Sequence, residues 1–355
     1  MLKRFIVIGL LGIVTTALYT QKQGKAYAFP ELKYFPPMPV AEDNPLSVAG
    51  IELGRYLFYD SILSANRDLS CASCHKQEFA FSDAPNRVSR GDNGQTSMRN
   101  AMPLFNLAWY PAFFWDGRAA GIEDAVLHPV RSKHEMNLPW TEAEKRIQNS
   151  PFYQKLFYEA FGNNTIDSIH ISKAIGQFLR TIISSETTYD RVLAGKEYFS
   201  EKAYEGFGLI NDMTKGDCMH CHTTESDPLG TIRKFSNNGL DAVFDPVDYK
   251  DPGLGGVTQK AEDIGKFKIP SLRNVAVTAP YMHDGRFATL REVLDFYSEG
   301  VHVSANIDSK MGLAHRGGVK LTEEEKEQII AFLHTLTDSV LLTNPAYANP
   351  LTKSD

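Results

Sequence analysis

The sequence is poor in cysteine, in strand-forming runs and, over one long interval, in histidine. Only four cysteines occur in 355 residues, at Cys71, Cys74, Cys218 and Cys221. All four fall in two Cys-x-x-Cys pairs, so none is left over for a separate disulfide framework. None stands near the N-terminus, which argues against a lipid-modified cysteine there. No histidine lies between His75 and His128. Strand signals are few and short, which excludes a sheet as the main architecture.

Basic residues are also in the minority, and several sit at the very start. Lys3 and Arg4 precede an apolar run from Phe5 to Leu18, and Ala26-Tyr27-Ala28 follows as a small-x-small site. That is the layout of a secretory signal peptide over residues 1–28. The alternative is an uncleaved anchor, but the run is short for a bilayer span. Removing residues 1–28 removes Lys3, Arg4, Lys22 and Lys25. It leaves 33 basic against 43 acidic residues, a net charge of −10. Such a chain is unsuited to nucleic acid. It suits a soluble protein that meets basic partners.

What is present is more specific. A histidine follows each cysteine pair directly, giving Cys71-Ala72-Ser73-Cys74-His75 and Cys218-Met219-His220-Cys221-His222. Cys-x-x-Cys-His is the attachment signal of c-type haem. Two thiols add to the two haem vinyl groups, and the adjacent imidazole is held where it can bind iron. A four-cysteine zinc site would use the same pairs. It gives no reason for histidine at the same offset twice. A thioredoxin-like redox pair needs only one motif. Two covalent haems are therefore expected, with His75 and His222 as proximal iron ligands.

The motifs lie 147 residues apart, which suggests one haem per domain. The expected fold is mainly α, with two cytochrome c-like haem domains and long connecting loops. After the leader at 1–28, the division is an N-terminal haem domain at 29–195, a C-terminal haem domain at 196–340 and a tail at 341–355. A Pro-rich entry segment spans 29–45, and the apolar spacing predicts a helix from Ile51 to Tyr59. Further helices are expected over Ile169–Leu193, over Ser200–Ile210 and from Thr322. Thr141-x-x-Glu144 and Thr322-x-x-Glu325 read as capping boxes. Residues 82–100 and 226–265 read as loops. Both halves share one plan: apolar helix, haem motif, polar loop, further helix.

A second axial group on each iron decides between electron transfer and reaction with peroxide. Met98 and Met102 follow the first motif, and nothing marks them as ligands. Glu135, in His134-Glu135-Met136, is a candidate acid–base group. By composition alone such a glutamate is more often a solvated surface carboxylate, and a tryptophan such as Trp115 is more often a core residue than an electron relay. Met282, Tyr297 and Met311 are candidate distal ligands of the second haem, and chemistry alone does not choose among them.

Several of these segments, in order, resemble the bacterial di-haem cytochrome c peroxidase/MauG superfamily over nearly the whole mature chain. They are both haem motifs, Arg99-Asn100-Ala101, Phe114-Trp115-Asp116-Gly117-Arg118-Ala119-Ala120, Glu135-Met136, Pro270-Ser271-Leu272-Arg273-Asn274 and Thr278-Ala279-Pro280-Tyr281-Met282-His283-Asp284-Gly285. The resemblance implies that the haem on His75 is peroxidatic and that Glu135 is its distal acid–base residue. It places Trp115 between the haems as their electronic connection, and His283 near the propionates of the second. It implies one calcium ion held by the Asn100 side chain and the Thr278 and Pro280 carbonyls, donors that calcium prefers. It also implies a periplasmic location and admits a homodimer.

Three departures from the family pattern stand out. Asp92 takes the place of a loop histidine that blocks the first iron in many peroxidases, so an open first haem is expected. Tyr297 stands where peroxidases usually have methionine, which is the MauG-like pattern. An anionic oxygen ligand lowers the potential relative to methionine. A distal glutamine is replaced near Ala125. The leading expectation is reduction of hydrogen peroxide with electrons from a small periplasmic cytochrome c or cupredoxin. The alternatives are a MauG-like oxidation of side chains on a partner protein and a non-enzymatic di-haem electron carrier.

Overall fold

The structure, a computed structural model, describes residues 25–39, 41–223 and 229–352. The expected leader lies outside the described residues except for 25–28. Those four run beside 46–48, with the Tyr27 N–H donating to the Leu46 carbonyl at 3.0 Å.

The architecture is mainly α. The longer helices are α1 (Val48–Tyr59), α2 (Ile122–Arg131), α3 (Trp140–Gln148), α4 (Pro151–Phe161), α5 (Ser168–Thr181), α6 (Thr188–Leu193), α7 (Glu201–Asn211), α8 (Leu290–Asp295), α9 (Glu323–His334) and α10 (Ser339–Thr343). Among the described residues the only sheet pairs β1 (Phe235–Ser236) with β2 (Phe267–Lys268), antiparallel, with Phe235 opposite Lys268.

The buried apolar residues fall into separate clusters. The first gathers Leu53, Phe58, Phe81, Phe157 and Phe178 from α1, α4, α5 and the loop after the first motif. The second gathers Tyr189, Ile210, Leu294 and Phe332. A small third cluster holds Leu240, Phe296, Val301 and Ala314. Each half uses the same device to bring its motif to its core. In the first, α1 packs on α5 at Gly54, where a Cβ would strike the Ala174 carbonyl. In the second, α7 packs on α9 at Gly206, where a Cβ would strike the Gln328 carbonyl. Only glycine allows backbones that close. The segment after α9 returns to the first cluster, with Leu341 buried there and the Tyr347 hydroxyl donating to the Thr181 carbonyl at 2.7 Å.

Two local expectations are corrected. The run 169–193 is two helices, because the backbone turns extended at Ile182 and the Asn106 amide takes the Ser184 carbonyl at 3.1 Å. The chain restarts at a Thr187/Asp190 capping box. Thr141 and Glu144 form no capping box. Helix α3 begins earlier, behind Pro139, and Glu144 instead accepts from the Ser168 N–H at 2.8 Å. The Thr322/Glu325 box does form.

An internal repeat emerges in three dimensions. Phe113 bridges to Ala119, and 168 residues later Tyr281 bridges to Phe287. Both loops carry a left-handed second residue (Phe114 φ 65°, Met282 φ 74°) and a left-handed glycine (Gly117 φ 73°, Gly285 φ 66°). Both close with an Asp–Arg pair, Asp116–Arg118 at 3.0 Å and Asp284–Arg286 at 2.9 Å. A left-handed asparagine opens each unit (Asn106, Asn274), and a helix ends it (α2, α8).

Candidate active site

The first motif lines a cavity of about 460 Å3. Cys71, Cys74 and His75 share its lining with Trp115, Glu135 and Met102. The volume is that of an ordinary cofactor pocket, ~300–1,000 Å3. After the motif the chain doubles back through left-handed Ala80 and Phe81, which brings the Phe81 carbonyl 2.8 Å from His75 Nδ1. Donating from Nδ1 leaves Nε2 as the basic nitrogen, the one a metal takes. Burial pushes the Cys71 and Cys74 thiols up to about 12 and about 11. The Glu135 carboxylate is close enough to both to add to that rise.

Glu135 is fixed through its backbone. Its carbonyl accepts from the Asp92 N–H at 2.7 Å, and Gly91 packs directly on the His134 carbonyl. The Asp92 carboxylate turns to the Asn66 N–H at 2.6 Å and is not among the residues lining the cavity. Ala125 does line it. Trp115 lines it as well. Its indole N–H donates to the Asn100 carbonyl at 2.9 Å, and the Asn100 N–H donates to the His283 carbonyl at 2.9 Å. A short polar chain thus runs from the first cavity to the second-half loop. There the buried His283 ring stacks on Phe267, with centroids 3.6 Å apart.

The second motif is organised alike. His222 Nδ1 sits 2.9 Å from the Pro270 carbonyl, and burial lowers the imidazole to about 4. The three candidate distal ligands, Met282, Tyr297 and Met311, all pack on the small third cluster. Tyr297 stands apart from the two methionines. It lies in a π-helical turn, Phe296–Gly300, that continues α8, and such turns are frequent at functional sites. Burial raises its phenol to about 12, and the Cys218 and Cys221 thiols add to the rise, which places Tyr297 beside the second motif. The Asn238 amide donates to its hydroxyl at 3.0 Å, a contact that favours the anion.

Two residues of these sites are not marked by any sequence motif. Asn238 lies in what reads as featureless loop. Pro129 is the other: the 168-residue offset that carries Phe113 to Tyr281 carries Pro129 to Tyr297. Pro129 lines the first cavity and offers no coordinating side-chain atom. The expected calcium donors lie on two loops tied together at Asn100 and His283. The Asn100 amide nitrogen donates to the Arg87 carbonyl at 3.1 Å, which leaves its oxygen available.

Comparison with known proteins names the framework. Residues 48–198 match the family model described as di-haem cytochrome c peroxidase. The methylamine utilization protein MauG of Methylophilus methylotrophus is 31% identical over 96% of this chain and 97% of its own length. The chain belongs to the di-haem cytochrome c peroxidase family. The cytochrome-c peroxidase IdrP1 of Pseudomonas sp. (strain SCT) is 32% identical, covering 94% of this chain and 92% of the relative. A crystal structure of a MauG-like protein associated with microbial copper homeostasis is 34% identical. It superposes with a TM-score of 0.82, covering 92% of this chain and 99% of that one.

As a member of this family the chain is an oxidoreductase with two c-type haems. The residues fit them. Each Cys-x-x-Cys pair is free of disulfide bonds, and each following histidine is oriented by a backbone carbonyl. Cys71 packs on the first cluster and Cys218 on the second, so the two pairs do not converge on one ion. Bound haem supplies an iron that takes up peroxide and exchanges electrons.

Proposed function

We propose that this protein is a periplasmic enzyme that reduces hydrogen peroxide to water at the first haem. In this reading its electrons come through the second haem from a small redox protein such as a cytochrome c or cupredoxin. The observation that carries the reading is the unequal pair of equivalent positions, Pro129 and Tyr297. At the first position a proline offers no ligating atom to a roomy cavity; at the second a phenol stands beside its haem motif. An iron open on one face reacts, and an iron closed on both faces transfers electrons.

In this mechanism the Glu135 carboxylate takes the proton from incoming peroxide and returns it to the departing water. The backbone bond from Asp92 holds Glu135 in reach. The overall balance is one peroxide, two protons and two electrons to two waters. Trp115 and the Asn100–His283 connection hold the two sites in fixed relation. A calcium ion between them, on Asn100, Thr278 and Pro280, belongs to the same proposal. So do the division into haem domains at 29–195 and 196–340, and the cleavable leader that exports the chain.

Tyr297 with Asn238 favours a second reading. An anionic ligand keeps the second haem easy to oxidise, which suits withdrawal of electrons from side chains of a partner protein, as in a MauG-like enzyme. Stopped-flow mixing of the peroxide-treated holoprotein with reduced cytochrome c and reduced cupredoxin separates the two. Rapid donor oxidation over many turnovers is the result expected of the peroxidase. A long-lived oxidised state that neither donor discharges overturns it in favour of the partner-protein reading.

A further inference from the structure

Lys268 is the one cation in the first cavity that the mechanism leaves unused and that no carboxylate accompanies. It comes from β2 in the second half, yet it lines the cavity of the first motif. The residue is 7% exposed. Its Nζ donates to the Ala112 carbonyl at 3.2 Å and stands 3.8 Å from the Tyr110 ring centroid. No acidic side chain among the described residues forms a salt bridge with it. The arginines of the same cavity are already committed: Arg99 to Asp116 at 2.6 Å and Asp251 at 2.7 Å, Arg118 to Asp116 at 3.0 Å. Desolvation alone drives the Lys268 amine down to about 7.

A buried ammonium without an anion is costly, and one carbonyl with an aromatic face offsets only part of that cost. Ordinary cores fill such a position with an apolar side chain. A lysine there is explained by an anion that arrives with the cavity's occupant. A haem brings two propionate carboxylates. We propose that Lys268 is the counter-cation of a propionate of the first haem, supplied to the first-half cofactor by the second half of the chain. The contact fixes the haem edge against β2, whose Lys268 N–H also donates to the Trp115 carbonyl at 2.8 Å. It also favours the reduced iron, because a nearby positive charge penalises the extra charge of the ferric state. The inference rests on a haem attached at Cys71 and Cys74, and it holds whichever electron source the enzyme uses.

The test is the midpoint potential of each haem in Lys268→Gln, Lys268→Met and Lys268→Arg holoproteins, followed by spectroelectrochemistry. Gln keeps a donor for the Ala112 carbonyl and removes only the charge. The two neutral variants are expected to lower the potential of the haem attached at Cys71 and Cys74 by at least a tenfold change in the ferric/ferrous ratio, about 59 mV for one electron. Arg should restore it, and the other haem should not move. Failure of both neutral variants to retain the first haem, with retention by Arg, supports the same conclusion. Unchanged potentials in the neutral variants, equal shifts in both haems, or an Arg variant that behaves like Gln would overturn it. Two low-spin haems would sink the proposed inequality of the haems, yet a single shifted potential would still be readable.

Discussion

In the proposed mechanism Glu135 and Tyr297 carry opposite duties, and each has a substitution that separates duty from structure. Glu135 lines the first cavity and is held by its backbone carbonyl. Glu135→Gln therefore keeps the fold and the resting spectrum while removing the proton carrier. The reaction with peroxide should slow by about 10²–10⁴-fold, the usual worth of a general acid–base group, as read by stopped-flow absorbance. Tyr297→Phe should change only the low-spin signal of the ferric protein by electron paramagnetic resonance, and an unchanged signal would point to Met282 or Met311 instead. The haem residues were legible in the sequence because covalent attachment demands a fixed spacing. Asn238, Pro129 and Lys268 were not. Their roles depend on which cavity they reach, and Lys268 reaches one whose haem motif lies almost two hundred residues upstream.

The elements explain why the two sites keep their distance from each other. Helix α6 begins at a capping box whose Asp190 does double service. It caps its own helix and pairs with the buried Arg273 at 2.5 Å, clamping the segment between the halves to the Pro270–Asn274 stretch that orients His222. The guanidinium holds the Asp190 carboxyl below the usual carboxylate range. Breaking the pair leaves a buried charge behind, so Asp190→Ala should cost about 3–5 kcal/mol of stability in urea unfolding. The folded-state pKa is depressed, so this stability is fully present above the unfolded value near 3.8 and is lost as pH falls through the lower folded value. The urea midpoint of the wild type should fall in that acidic window, and that of Asp190→Ala should fall less. Helix periodicity was readable for α1, α7 and α9, whose apolar faces dominate. The break after Thr181 was not, because Ile182 and Ile183 continue the apolar pattern while Asn106, 78 residues away from Ser184, takes the backbone out of the helix.

At the scale of the molecule, the chain is one plan used twice and then made unequal. The repeated Phe113–Ala119 and Tyr281–Phe287 loops, and the repeated glycine-mediated helix pairs, place each haem motif alike. The sequence reading caught the outline of that repeat but not its 168-residue offset. Trp115 and His283 take the same place in the repeated loop without sharing side-chain chemistry, and Pro129 and Tyr297, related by the same offset, differ in backbone as well, α-helical in one and π-helical in the other. That difference is the centre of the account. The full sequence's net charge of −6 suits a basic redox partner, and in the proposed function it is the inequality of the two irons that makes an enzyme of the pair. The most direct test is the electron paramagnetic resonance spectrum of the fully haem-loaded ferric protein before and after one equivalent of hydrogen peroxide. One high-spin and one low-spin haem are expected at rest, with the high-spin signal lost on addition of peroxide. Two low-spin haems that peroxide leaves unchanged would contradict that expectation.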